Sequence, residues 1–177
     1  VLMKTYRRWF HRHPELGFDV HNTQKYIVDQ LKLLRFDSIE AVADTGLKAV
    51  IMKNPEYETL AFRADMDALT LKEQTGLEFS SQTEGIMHAC GHDAHMAMLL
   101  GFAQWLSNNR ETLNKNIVLI FQPAEESIGG ALPMIKEGVL ENPNVDAIFG
   151  FHLFPGINQG FIGLREGPLM AQTCEFN

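Results

Sequence analysis

Between Met87 and Gly101 the chain reads MHACGHDAHMAMLLG, which places one thiol and three imidazoles in the short stretch from His88 to His95. From His92 onward, Met96, Leu99, Leu100, Ala103 and Leu106 follow the period of an amphipathic helix of about three to four turns, with Asp93 in its first turn. Cys90 and His92 are two apart, which sets them on one side of an extended segment but on nearly opposite sides of a helix. They can act together only if they precede the helix. Any fold of this chain that uses the cluster must therefore bring further polar groups to that helix's N-terminal end.

The rest of the pattern says where such groups come from. Leu2, Tyr6, Trp9 and Phe10 are spaced as in a helix, and Pro14 disfavours the α conformation at His13, so a first helix should end there. Thr23 to Leu34 repeats the pattern. Leu47 to Met52 and Thr59 to Phe62 are short apolar runs flanking Asn54-Pro55-Glu56, which predicts two strands joined by a tight connection. Asn116 to Phe121 reads as a fully buried strand, Ala131 to Glu137 as a short helix stopped near Gly138, and Ala147 to Phe151 as another buried strand. This alternation predicts an α/β domain with a largely parallel central sheet flanked by helices, in which sites gather beyond the carboxyl ends of the strands. Asp65, Asp67, Glu125, Glu126 and His152 all fall at or just after such ends. No internal repeat or low-complexity linker divides the chain.

Composition narrows the partners. With 177 residues, 45% of them hydrophobic, the chain can bury one full-sized core. A net charge of −7 without a Lys/Arg-rich run argues against nucleic acid, and the acidity itself implies only a solubilising surface. No apolar run approaches the ~20 residues needed to cross a bilayer, so no membrane role is expected. Two cysteines, one of them inside the histidine cluster, do not make a disulfide framework; a reducing, cytoplasmic setting is expected.

A cysteine thiolate and a neutral imidazole suit zinc and neighbouring transition metals, and a thiolate can bridge two ions. A structural zinc site would close on Cys and His alone, whereas here carboxylates must complete the set, which favours a catalytic metal. Gln122-Pro123-Ala124-Glu125-Glu126 offers two carboxylates in a loop after a strand. Such neighbours tend to point apart, so one can bind a metal while the other accepts the proton of attacking water and passes it to a leaving nitrogen. Spacing does not say which glutamate does which. A Glu-Glu pair alone is ordinarily solvated surface, but the apolar strand before it and the glycines after it argue otherwise.

His152 stands where a strand emerges; a lone histidine there is more often a hydrogen-bonded core residue, but beside Cys90, His92 and Glu126 it is a candidate ligand. Asp65 and Asp67 share a face if the segment is extended, and could receive the second ring N–H of a metal-bound histidine such as His92; a capping or turn role is equally open. His88 is expected to line the site, His95 to stand behind it or pack the helix, and His11, His13 and His21 to be structural or exposed. Cys174 reads as an ordinary buried thiol, and Met96 and Met98 as core fillers.

HRHPELGF (His11 to Phe18), Thr45-Gly46, RADMDAL (Arg63 to Leu69), MHACGHDAHMAMLLG, FQPAEE (Phe121 to Glu126), FGFH (Phe149 to His152) and GPLMA (Gly167 to Ala171) come in a recognisable order. It resembles the amidohydrolase branch of the aminoacylase-type metallopeptidases, family 20, which includes hippurate hydrolase, N-acetyldiaminopimelate deacetylase and plant auxin conjugate hydrolases. The likeness spans nearly the whole chain, and MHACGHD followed by QPAEE is highly specific.

The resemblance implies a zinc-peptidase-like catalytic domain holding two divalent metal ions, whether zinc, manganese or cobalt. Cys90 would bridge them, His92, Glu126 and His152 would be terminal ligands, and Glu125 the general base. It implies hydrolysis of the amide bond of N-acyl amino acids or small peptides by a metal-bridged hydroxide. A di- or aminopeptidase with the same centre and an inactive metal-binding fragment are the alternatives. Family members continue into a lid and dimerisation domain and return with one more histidine ligand. Residues 1–177 are thus expected to form the N-terminal portion of the catalytic metal-binding domain, incomplete at the C-terminus and poorly active alone, with any homodimer contacts in the part that follows. Thr70 stands where the family usually has Pro, a change expected to affect a turn more than the chemistry.

Overall fold

The computed structural model describes residues 2–169. Two helices, α1 (Leu2–Arg12) and α2 (His21–Leu31), precede three strands, β1 (Ser38–Val42), β2 (Gly46–Ile51) and β3 (Thr59–Asp65). A long connection leads to α3 (His92–Asn108) and a single 3₁₀ turn, followed by β4 (Asn116–Gln122), α4 (Ala131–Lys136) and β5 (Ala147–Gly150). Cys174 and the end of the GPLMA run lie outside the described residues.

The five strands form one mixed sheet in the order β1-β2-β4-β3-β5. β3, β4 and β5 run parallel, and β2 and β1 complete the sheet in antiparallel pairings. β4 is buried along its whole length, and its alternation builds two cores. Ile117, Leu119 and Phe121 join Phe10, Ile27, Leu31, Met96, Leu100 and Leu106 under α1, α2 and α3; Val118 and Ile120 join Val50, Met134 and Val139 on the other face. Helices thus flank the sheet on both sides.

One local expectation changes, and one strand goes unmarked in the sequence. The tight connection at Asn54 joins β2 and β3 as expected, with the Tyr57 N–H donating to the Asn54 carbonyl at 3.0 Å, and β4 inserts between the two strands in the sheet. A turn signal reports a reversal and not the neighbour. β1 is half polar and gives no apolar run, so only its register with β2 reveals it. β5 was expected to be buried, yet Ile148 is 53% and Phe149 46% exposed, because among the described residues β5 pairs with β3 alone and forms an edge.

Loop contacts stitch the sequence motifs together. The Ala68 N–H donates to the Glu15 carbonyl, the Ala124 N–H donates to the Gly17 carbonyl, and Leu69 and Met87 exchange both backbone hydrogen bonds. The HPELGF segment, which carries none of the candidate ligands, is therefore the brace that holds the other loops. Its Glu15 also accepts the Asn22 and Thr23 N–H groups, at 3.2 and 2.8 Å, at the start of α2, where free N–H groups need acceptors.

Candidate metal centre

Because β3, β4 and β5 are parallel, their carboxyl ends open on the same side of the sheet. Asp65 ends β3 with Asp67 just beyond, Glu125 and Glu126 follow β4, and His152 follows β5. Opposite them, Gly91 takes φ +102° and turns the chain into α3, putting Cys90 before the turn and His92 in the first helical turn. Its φ of +102° favours glycine, and a Cβ there would also press lightly on Leu153 Cδ1 at 3.3 Å while making an ordinary contact with His95 Nε2 at 3.5 Å. Ala124 also takes a positive φ, +54°, an uncommon conformation for a residue with a Cβ. It bends the chain so that both following glutamates reach the site.

The candidate donor atoms converge. Cys90 Sγ lies 3.4 Å from His152 Nε2, and His92 Nε2 lies 3.7 Å from Glu126 Oε1, 3.9 Å from Glu125 Oε2 and 3.5 Å from Asp65 Oδ2. Cys90, His92 and His152 offer donor atoms all within 4.8 Å of one another, as do His92, Glu125 and Glu126, so His92 belongs to both groups. With metal–ligand bonds of ~2.0–2.3 Å, neighbouring tetrahedral donors stand roughly 3.3–3.6 Å apart. Two buried atoms of this set, His92 Nε2 and Glu126 Oε1, have no hydrogen-bond partner. A lone pair and a carboxylate oxygen that are buried, adjacent and unpaired are costly unless a cation satisfies both. The residues therefore fit divalent cations.

Charge follows geometry. Burial and the neighbouring Glu126 carboxylate push the Cys90 thiol up to about 12, so a cation is what makes it available as a thiolate. Burial opposes a charge on His92, but its hydrogen bond to Asp67 and the Asp65 and Asp67 carboxylates outweigh that and raise its pKa. Glu125 is raised by burial and by Glu126. Burial would raise Asp65, but His95, His92 and Arg63 together hold it far below the usual carboxylate range.

The supporting groups are arranged differently from the expected carboxylate–histidine pairs. His92 Nδ1 donates to the backbone carbonyl of Asp67 at 2.8 Å, while the Asp67 carboxylate accepts the Glu125 and Glu126 N–H groups at 2.9 and 3.0 Å. Asp65 instead accepts the His95 Nδ1–H at 2.7 Å and pairs with Arg63 at 2.8 Å. His11 is structural as expected, but it is buried and paired, facing Asp93 at 2.7 Å and Glu73 at 3.1 Å. His13 stacks on Trp9, and His21 is exposed. His88 is buried, its pKa lowered to about 4 by that burial, and it joins none of the donor groups. His95 stands behind the site as expected, whereas no sequence signal pointed to Arg63, which also donates to Gln122 Oε1 at 3.0 Å, or to Glu73, which meets His11.

Residues 61–177 match the profile of Peptidase family M20/M25/M40. The chain belongs to this family. It is 45% identical over 173 residues to thermostable carboxypeptidase 1 of Saccharolobus solfataricus, covering 96% of this chain and 44% of that protein. It is 43% identical over 170 residues to N-acetyl-L-cysteine deacetylase of Bacillus subtilis, covering 96% and 40%. To hippurate hydrolase of Campylobacter jejuni it is 39% identical over 171 residues, covering 97% and 44%. The crystal structure of a dinuclear metal binding peptidase from the M20 family of Bacillus subtilis superposes with a TM-score of 0.88 at 43% identity, covering 94% of this chain and 46% of that one. The chain spans less than half the length of these relatives. No helix among the described residues is long and apolar enough to cross a membrane.

Proposed function

We propose that this chain is the N-terminal, metal-binding part of an M20 amidohydrolase that cleaves the amide bond of small N-acyl amino acids or peptides. The observation that carries the reading is the convergence of Cys90, His92, His152, Glu125 and Glu126 around two buried atoms with no partner, His92 Nε2 and Glu126 Oε1. Cys90 would hold two divalent cations jointly, with His92, Glu126 and His152 as the further ligands. Zinc, manganese and cobalt all suit this sulfur, nitrogen and oxygen set. Cations there supply Lewis acidity to the amide carbonyl and to attacking water.

The two glutamates divide by exposure. Glu126 is 22% exposed with one oxygen wholly buried, whereas Glu125 is 42% exposed and free to meet substrate. Glu125 is therefore the general base: it takes the proton of attacking water and returns it to the leaving nitrogen. Its raised pKa suits that exchange. A deacetylase and a hippurate hydrolase among the relatives support an N-acyl amino acid as substrate. The carboxypeptidase among them supports a peptide, and a panel of acetylated, benzoylated and free dipeptides separates the two. A reducing compartment such as the cytoplasm suits a site that needs Cys90 as a free thiol.

The test is metal content. Elemental mass spectrometry of the loaded, desalted chain should find about two ions per chain, with Cys90→Ala losing them. An empty chain under the same loading, or retention by Cys90→Ala, would sink the bridged centre.

A further inference from the structure

We infer that His95 is a positioning residue for His152 and acts through the main chain of Leu153. The inference rests on the metal-dependent reading above. β5 stops at Gly150, whose pairing with Arg63 is its last contact with the sheet, so His152 has no strand ladder to place it. Among the described residues, one hydrogen bond ties the main chain of residues 151–153 to another element: the Leu153 N–H donates to His95 Nε2 at 3.0 Å. Leu153 also accepts on its other side, because His152 Nδ1 donates to the Leu153 carbonyl at 2.7 Å. That leaves the His152 Nε2 lone pair facing Cys90 Sγ at 3.4 Å. A chain of contacts therefore runs from His95 to Leu153 to His152.

His95 can do this in one protonation pattern. Its Nδ1 faces Asp65 Oδ1 at 2.7 Å and must carry the proton, while its Nε2 faces an N–H and must present a lone pair. The same lone pair is then unavailable to a metal, so His95 is not a ligand although it lies within reach of Asp65 and His92. Arg63 anchors the far end by pairing with Asp65 at 2.8 Å. The Leu153 side chain rests over Gly91, where a Cβ would touch it, so the segment is registered against the Cys90-Gly91-His92 turn by side chain and backbone alike. Leu153 is 47% exposed and makes little core of its own, so this register depends on the His95 contact.

Two isosteres split the ring's functions. His95→Gln keeps an acceptor at the reach of Nε2; His95→Asn keeps a polar group only at the reach of Nδ1. Amide exchange at Leu153 is read by nuclear magnetic resonance, and cobalt(II) affinity from the thiolate-to-cobalt absorption of Cys90. His95→Gln should stay within about threefold of the native chain in both, while His95→Asn should speed Leu153 exchange and weaken cobalt binding by roughly tenfold or more. If His95→Asn fails to fold, an amide-to-ester replacement at Leu153, which removes the N–H donor and keeps the side chain, should reproduce the cobalt loss. Equal behaviour of Gln and Asn, or unchanged Leu153 exchange in Asn, overturns the inference. A native chain that takes up no cobalt overturns the metal reading instead, and Leu153 exchange then still decides whether His95 holds the segment.

Discussion

Asp67 grips Glu126 by its backbone: Asp67 Oδ2 accepts the Glu126 N–H at 3.0 Å, and the other carboxylate oxygen takes the N–H of Glu125 at 2.9 Å. The Asp67 side chain is fully buried. One carboxylate thus sets both glutamates while its own residue's carbonyl sets His92 at 2.8 Å. Asp67 serves by fixing two loops to each other.

Removing that carboxylate should loosen the site without touching a candidate ligand. Asp67→Ala leaves two N–H groups without acceptors, each costing about 1–3 kcal/mol when buried. Urea denaturation should show the loss of stability, and a metal titration should show weaker binding. A variant that keeps native stability and native affinity would mean that the loop holds itself.

Glu125→Gln keeps the size of the side chain and removes its proton-accepting charge. In the metal-loaded active protein it should lower kcat by roughly 10²–10⁴-fold while sparing metal content. Steady-state kinetics beside elemental analysis reads both. Loss of metal together with activity would instead make Glu125 a ligand.

Stability should depend on His11. Its hydrogen bond to Asp93 raises its pKa above the ordinary 6.5, helped by Glu73 and opposed by burial. A raised value in the folded chain means that the contribution is fully present below 6.5 and is lost as pH climbs through the raised pKa. Glu73 has the opposite sign: burial would raise it, but the Ser81 N–H, the Thr75 hydroxyl and His11 hold it down at about 2, so its contribution is present above 4.5 and lost as pH falls. Thermal midpoints of the native chain should fall on the alkaline side of 6.5, and His11→Gln should flatten that limb. Parallel curves for the two proteins would exclude His11 as the titrating group.

Gly130 has an ordinary φ of −72°, so its role is close approach. A Cβ there would lie 1.9 Å from the Pro123 carbonyl oxygen, in the loop that carries both glutamates. Gly130→Ala should therefore cost about 1–3 kcal/mol by overpacking and weaken metal binding as the loop shifts. Native melting and affinity in this variant would show that the loop absorbs a methyl group freely.

Much of this was legible before folding. The helical period after His92 marked the start of α3, but the two-residue step implied that Cys90 and His92 both precede the helix, whereas Gly91 makes the turn between them and His92 opens α3. The apolar run of β4 announced a central strand, because a strand buried on both faces needs no polar alternation. β1 left no such mark, since an edge strand with one half-exposed face carries few apolar residues. The same edge exposure misled the reading of β5, whose apolar residues suggest burial that the described chain does not provide.

Sequence alone determined the donor types, their order and the elements that carry them, because helical and strand periods and cation chemistry act over a few residues. Only the tertiary structure decided that β4 lies between β2 and β3, that Asp67 holds a loop 58 residues away, and that His95 reaches Leu153 at the same separation. The two side-chain contacts are hydrogen bonds whose partners are chosen by proximity after the sheet has formed. No local pattern in the chain encodes which donor will find which acceptor.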